Sequence, residues 1–161
     1  MSTALPTRPR TLATRRTFVI VASTYNPKYV QGLVDHATKE IHTILPNSPI
    51  TLHQVPGAFE IPVAVQEIAR RGGMDAIIAL GVIIEGETDH AGHVASAVTH
   101  ALLDLSLKYR IPIIHEVLSV KNEEQASARC LDGKINRGTE AARAALSISN
   151  LMVEIRDKST P

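Results

Sequence analysis

The sequence predicts an α/β fold in which a parallel sheet of about four strands is covered by helices on both faces. Two observations indicate this fold. Short apolar runs such as Phe18-Val-Ile-Val-Ala22 and Ala76-Ile-Ile-Ala-Leu80 have the length and composition of buried strands. Between these runs, apolar residues recur at the three- and four-residue spacing of helices. Strands that alternate with helices are joined by right-handed crossovers and lie parallel in one sheet.

The elements are predicted in chain order from this pattern and from the Pro, Gly and Asn residues that mark turns and helix ends. Strands are expected at 17–22, 50–55, 75–82 and 111–118. Helices are expected from Pro27 to the Pro46–Pro49 segment, from the 56–60 turn to Arg71, from the 83–90 loop to Arg110, from the Asn122 cap to Arg129, and along an Ala-rich last segment. Residues 132–138 are predicted to form a loop. Ligands bind outside the carboxyl ends of such strands, so the following loops are the candidate site.

The segment from Gly81 to His90 is the most informative stretch, because it runs from a buried strand into a helix. Thr88 or Asp89 can cap that helix, and its unpaired backbone N–H groups suit a phosphate. His90 falls in the first turn, where an imidazole can move protons near neutral pH. The loop thus combines an anion cradle with an acid/base, although an isolated histidine at a helix start is more often a surface or capping residue.

Composition excludes several classes of protein. With 161 residues, 44% hydrophobic and 20% charged, the chain is expected to be one soluble domain. The content of aromatic residues is only 3%, and the chain after the basic residues 1–16 is mildly acidic. Both features argue against a nucleic-acid partner. No apolar run predicts a membrane span, and no spacing of His, Cys, Asp or Glu predicts a metal site. Cys130 is the single cysteine, which fits a reducing compartment such as the cytoplasm.

The domain organisation is predicted as an arm at 1–16, one domain at 17–155 and a short tail at 156–161. The arm carries Arg8, Arg10, Arg15 and Arg16 and no acidic residue. It shares this composition with organelle transit peptides, but a flexible basic arm is the favoured interpretation.

Four segments together resemble the lumazine synthase family of riboflavin biosynthesis. They are Val55-Pro-Gly-Ala-Phe-Glu-Ile-Pro62, Gly81 to His90, Asn122-Glu-Glu-Gln-Ala126 with Arg129, and Arg137-Gly138 followed by Glu140-Ala-Ala142. Their order and spacing match over roughly residues 17–152. The resemblance implies a flavodoxin-like three-layer sandwich, pentamers or shells of pentamers with sites between subunits, and no cofactor.

The family condenses 5-amino-6-(ribitylamino)pyrimidinedione with 3,4-dihydroxy-2-butanone 4-phosphate to 6,7-dimethyl-8-ribityllumazine. By resemblance His90 transfers protons, while the phosphate is held by Gly86, Glu87 and Thr88 with Arg129 from a neighbouring subunit. The pyrimidine and its ribityl chain are expected to contact one further set of residues: Tyr25, Asn26, Ala58, Phe59, Glu60, Ile83 and Ile84. His115 stands where an aromatic residue of the neighbouring subunit usually covers the substrate.

Several residues depart from the family pattern. Glu85 is acidic where basic or neutral residues are usual, Ala91-Gly92-His93 replaces an aromatic and an acid after the catalytic histidine, and Glu116 follows His115 where a small residue is common. These departures keep one alternative open, a catalytically weak paralogue that binds lumazine or flavin or forms shells. A third hypothesis, an unrelated flavodoxin-like nucleotide-binding domain, is disfavoured by the four motifs together.

Overall fold

A computed structural model describes residues 4–10 and 15–157 of the chain. Four strands alternate with helices, as the sequence predicts. The strands are β1 Phe18–Ser23, β2 Ile50–Val55, β3 Ala76–Ile84 and β4 Ile113–Val120. The helices are α1 Pro27–Ile44, α2 Ile61–Arg71, α3 His90–Tyr109, α4 Glu123–Cys130 and α5 Arg137–Asp157, with a 3₁₀ turn at Ala58–Glu60 before α2.

The sheet has the order β2-β1-β3-β4, and every neighbouring pair is parallel. Phe18 of β1 lies beside Ile50 of β2 on one side and Ala76 of β3 on the other, and Ile77 pairs with Ile113 of β4. The chain first moves outward from β1 to β2 and then crosses back to β3. The carboxyl ends of β1 and β3 therefore form the topological switch point, where such sheets leave a crevice.

Two apolar cores hold the sheet between two layers of helices, which confirms the predicted three-layer sandwich. Side chains alternate along β1, so Phe18 and Ile20 point to one face and Val19 and Val21 to the other. The first core packs the sheet against α1, α4 and α5, and the second packs it against α2 and α3. Burial on both faces explains why β1 and β3 have almost no polar residues.

Two strands end further along the chain than the sequence indicates. β3 was expected to end near residue 82, but it continues through Ile84 because β4 pairs with it as far as Val120. β4 was expected at 111–118 and lies two residues later. Pro112 precedes the strand and contributes only its carbonyl, which accepts from Ile77 N at 2.9 Å.

The caps of α4 and α5 are set by two asparagines. Asn122 was predicted to cap α4, and its side chain accepts from Gln125 N at 2.9 Å, which confirms the prediction. Residues 132–138 were predicted as a loop, but α5 begins at Arg137. The loop prediction is wrong at its end because Asn136 Oδ1 accepts from Gly138 N at 2.9 Å and caps the helix there.

The described part of the predicted arm lies against α1 and α5. Arg8 makes a bidentate contact with the buried Glu40, 2.8 Å from Nε to Oε1 and 3.1 Å from Nη2 to Oε2. Arg143 Nε also donates to Glu40 Oε1, at 2.7 Å. The hydrogen bond from Arg8 is the main cause that lowers the pKa of Glu40. The flexibility of residues 1–16 remains a prediction, and residues 1–3 and 11–14, like 158–161 of the predicted tail, lie outside the described residues.

Candidate active site

A cavity of about 830 Å³ opens at the switch point of the sheet. Its wall is formed by the segments that follow β1, β2 and β3 and by the first two turns of α3. The volume is within the range of small-molecule sites in proteins. The cavity therefore lies where the parallel topology and the predicted loops both place a ligand.

The segment after β1 contributes Tyr25 and Asn26. Asn26 occupies the N-cap position of α1 with φ 54°, a left-handed conformation that asparagine tolerates well. Its side-chain Nδ2 donates to Val82 O at 2.8 Å, so the amide joins the ends of β1 and β3 across the switch point. The Tyr25 side chain is 71% exposed, and its ring is open to a ligand or a partner.

The segment after β2 brings Ala58, Phe59 and Glu60 to the same cavity. Glu60 Oε2 accepts from Gly57 N at 2.9 Å and holds the turn that leads into α2. A Cβ at Gly57 would lie 2.9 Å from Glu60 Oε2 and 3.2 Å from Tyr25 Cδ2. Glycine thus allows the carboxylate and the Tyr25 ring to meet at the cavity wall. The Glu60 carboxylate therefore both stabilises the turn and lines the cavity.

The third wall is the strand-to-helix segment between β3 and α3. Ile83 and Ile84 line the cavity from the end of the strand, followed by Gly86, Thr88 and His90. His90 is the first residue of α3, as predicted. Asp89 is the N-cap residue, but its side chain makes no capping hydrogen bond. The backbone N–H groups of the first turn therefore donate to no side chain at the cap.

A family model matches residues 15–153, nearly the whole described chain, and its description is 6,7-dimethyl-8-ribityllumazine synthase. The chain belongs to the 6,7-dimethyl-8-ribityllumazine synthase family. The predicted family membership is thereby confirmed.

Curated relatives agree with the family match over most of the chain. A 6,7-dimethyl-8-ribityllumazine synthase of Aquifex aeolicus (strain VF5) is 42% identical over 143 residues, covering 86% of this chain and 91% of the relative. The proteins of the same name from Xanthomonas campestris pv. campestris strains B100 and 8004 are 39% identical over 136 residues, covering 84% of this chain and 88% of theirs.

Three of the residues expected to bind substrate by resemblance to this family are not among the residues that line the cavity of the single chain: Glu87, His115 and Arg129. Glu87 is exposed on the loop before α3. His115 lies on β4, the strand at the opposite edge of the sheet from β2. Arg129 lies on α4, where its Nη1 donates to Gln125 O at 3.2 Å and its buried Nε has no partner among the described residues.

Other residues line the cavity without having been predicted. His93 is the most important, because it stands one turn after His90 and faces the same space. Its i, i+3 spacing from His90 is the signal that could have identified it. Gly57, Val82, Ala91, Val94 and Ala97 complete the lining. Glu85 does not line the cavity; its backbone N–H donates to Val120 O at 2.8 Å.

Among the acidic residues of β4 and the neighbouring α5, Glu116 on β4 has a strongly shifted pKa. Burial is the main cause that raises the pKa of Glu116 to about 7, the nearby Glu140 raises it further, and Arg137 opposes both. Within residues 4–10 and 15–157, no group of three or more His, Cys, Asp and Glu could hold a metal ion. In the same residues, no helix is long and apolar enough to cross a membrane.

Proposed function

We propose that the cavity at the switch point is the place where the chain carries out the condensation of its family, in the cytoplasm and without a cofactor. As a member of this family, the chain is a transferase of riboflavin biosynthesis. It joins 5-amino-6-(ribitylamino)pyrimidinedione to 3,4-dihydroxy-2-butanone 4-phosphate. The observation that carries the proposal is the convergence of three separate loops, with Tyr25, Glu60 and His90, on one cavity.

The phosphate group is assigned to the loop before α3. Gly86 and Thr88 line the cavity there, and the positive end of the α3 dipole lies beside them. A hydroxyl and uncapped backbone N–H groups are the donors that a phosphate requires. Glu87 is proposed to contribute its backbone N–H rather than its exposed side chain.

The pyrimidine ring is assigned to the apolar part of the cavity. Ile83 and Ile84 offer a flat aliphatic wall, and the exposed rings of Tyr25 and Phe59 can stack on a heterocycle. Glu60 accepts a single hydrogen bond from Gly57 through Oε2, and a carboxylate has further lone pairs for ribityl hydroxyls. Asn26 and Ala58 complete this part of the wall.

The reaction requires proton transfers rather than an activated nucleophile of the protein. The 5-amino group adds to the ketone and loses water, phosphate leaves, and the ribityl-bearing nitrogen closes the ring with loss of a second water. His90 at the cavity wall can take the proton from the attacking amine and return a proton to a leaving hydroxyl. Because both reagents are already reactive, holding them side by side is expected to supply much of the remaining rate.

We propose that the site is completed by a neighbouring subunit in a homo-oligomer, a pentamer or a shell of pentamers. Arg129 and His115 do not line the chain's own cavity, and the resemblance to the family assigns them to the cavity of a neighbouring copy. The unpartnered Nε of Arg129 supports a ligand role for that side chain. Leu103 and Leu107 on α3 are 58% and 70% exposed, which supports a further contact surface on the helix that begins at His90.

The direct test is to incubate purified full-length protein with both substrates and follow the absorbance and fluorescence of the lumazine. The expected result is product formation faster than in a matched mixture without protein. Tight binding of lumazine or flavin without any acceleration would overturn the proposal and favour the non-catalytic paralogue.

The role of His90 predicts a specific loss. His90→Gln should reduce kcat by about 100-fold, because general acid–base catalysis contributes factors of this size, while both KM values change little. His100→Gln is the matched control: His100 lies on the same helix, is exposed, and bonds through Nδ1 to Ser96 O at 2.7 Å, away from the cavity. A kcat of His90→Gln within twofold of the control would contradict the assignment.

A further inference from the structure

His115 is held by a residue of the helix that also forms the cavity wall. The imidazole lies on β4, which among the described residues pairs with β3 alone. His115 Nε2 is 2.8 Å from the hydroxyl oxygen of Thr99 on α3. This contact fixes the ring against α3.

The direction of this hydrogen bond follows from the second contact of Thr99. A hydroxyl has one hydrogen, and Thr99 Oγ1 donates it to Ala95 O at 2.7 Å. Both close contacts of Oγ1 are satisfied together only when the oxygen accepts from His115, which assigns the hydrogen to Nε2. In neutral histidine the other nitrogen, Nδ1, therefore bears a lone pair, and it bonds to none of the described residues.

The two faces of α3 have different surroundings. His90, Val94 and Ala97 line the cavity of the same chain. Thr99 lies about half a turn around the helix from this stripe, on the side that contacts β4. Thr99, which sets the tautomer of His115, thus lies on the face of α3 that does not line the chain's own cavity.

We propose that Thr99 is a positioning residue that holds His115 in the Nε2–H form, so that Nδ1 accepts a hydrogen bond from the pyrimidine substrate bound to a neighbouring subunit. The inference rests on the proposed function, which places His115 at that neighbouring cavity. The pyrimidine carries ring and amino N–H donors that match an acceptor. The phosphate group of the other substrate carries mainly acceptors, so Nδ1 favours the pyrimidine.

The first experiment reads the tautomer without any substrate. Solid-state NMR of the assembled full-length protein with ¹⁵N-labelled histidine reports which ring nitrogen carries hydrogen, and the His115 signals are assigned by their loss in His115→Phe. The wild type and Thr99→Ser should show Nε2–H, and Thr99→Val should show a mixture of both tautomers. A wild type with Nδ1–H, or a Thr99→Val spectrum identical to the wild type, would overturn the inference.

The second experiment separates the two substrates. His115→Phe should raise the KM of the pyrimidine by about tenfold, the size of one lost hydrogen bond. Thr99→Val should raise it by about twofold to threefold, because only the Nε2–H fraction of the mixture still offers Nδ1 as an acceptor. Neither variant should change the KM of the phosphate substrate. Thr99→Ser should restore the wild-type value. If Thr99→Val does not fold, the KM of the pyrimidine measured for His115→Phe against the wild type still tests the inference.

The two possible failures are distinguishable. If the wild type forms no lumazine, the proposed function fails, and the NMR result on Thr99 is unaffected. If the wild type is active but Thr99→Val and His115→Phe both retain the wild-type KM for the pyrimidine, the inference on His115 fails and the proposed function stands.

Discussion

Glu116 brings a carboxyl group into the partly buried space between β4 and the start of α5. Burial raises its pKa to about 7, with Glu140 adding to the shift and Arg137 reducing it. The same carboxyl and Arg129 both act on the thiol of Cys130, whose pKa is raised to about 12 chiefly by burial. Near neutral pH, Glu116 is therefore only half ionised in the folded protein, whereas the unfolded chain has lost this proton.

This difference predicts a pH-dependent stability. The folded pKa is above the unfolded value, so the favourable contribution of protonated Glu116 is complete below pH 4.5 and is lost as the pH rises towards 7. Glu116→Gln should have nearly wild-type stability at pH 4 and be more stable than the wild type at pH 8, by on the order of 3 kcal/mol. Urea denaturation of both proteins at several pH values measures this difference.

The exposed Glu124 on α4 provides the matched control for this prediction. Glu124→Gln removes the same charge from the first turn of a helix and should change stability by less than about 1 kcal/mol at each pH. A constant difference between Glu116→Gln and the wild type from pH 4 to 8 would show that burial of Glu116 has no energetic consequence.

Helix α1 approaches both α5 and α4 so closely that each contact requires glycine. A Cβ at Gly138 would lie 2.2 Å from Leu33 O, and a Cβ at Gly32 would lie 2.5 Å from Cys130 O. In both places the obstacle is backbone, which cannot turn aside as a side chain can. The fully buried Ala141, Ala142 and Ala145 of α5 extend the contact between α1 and α5. This row of small residues therefore packs within the subunit.

Two effects of opposite sign compete in Gly138→Ala. Alanine favours a helix by about 1 kcal/mol over glycine, but a methyl group at 2.2 Å from a carbonyl oxygen forces the helices apart, which costs about 1–3 kcal/mol or more. We expect net destabilisation, measured as a lower urea midpoint. Gly133→Ala is the control, because a Cβ there meets nothing within 4 Å. Gly138→Ala at least as stable as Gly133→Ala would contradict the steric argument.

At the scale of the whole molecule, the described chain contains only part of the proposed site. His90, Glu60 and Tyr25 share one cavity, while Arg129 and His115 lie elsewhere on the surface of the same chain. Rings of more than two subunits join one surface of each subunit to a different surface of the next. In the proposed pentamer, the two parts of the proposed site are expected to meet once at every contact between neighbours.

A mixed assembly tests this arrangement. His90→Gln and Arg129→Ala chains, each poorly active alone, are co-expressed in equal amounts with different tags. About a quarter of neighbouring pairs should combine an intact His90 with an intact Arg129, so activity should recover to about that fraction of the wild type. Co-expression of two differently tagged His90→Gln chains is the control and should give no recovery. A mixed assembly no more active than its parents would show that each site is built from one chain.

The sequence alone predicted most of the local structure and one wall of the site. Its apolar runs and helical spacings determined the α/β class, because a strand buried on both faces must be apolar at nearly every position. The segment from Gly81 to His90 indicated a strand, an anion-binding turn and a helix start, since these depend on neighbouring residues. The resemblance, carried by four segments in register, added the family and the reaction.

Only the tertiary structure decided which distant residues meet. The pairing of β4 with β3 kept Ile83 and Ile84 in a strand at the cavity wall. The partner of His115 on α3 also depends on the packing of two elements, as does the burial that perturbs Glu116. Local patterns are set by interactions within a few residues, whereas burial, tautomers and shared cavities depend on contacts between segments far apart in the chain.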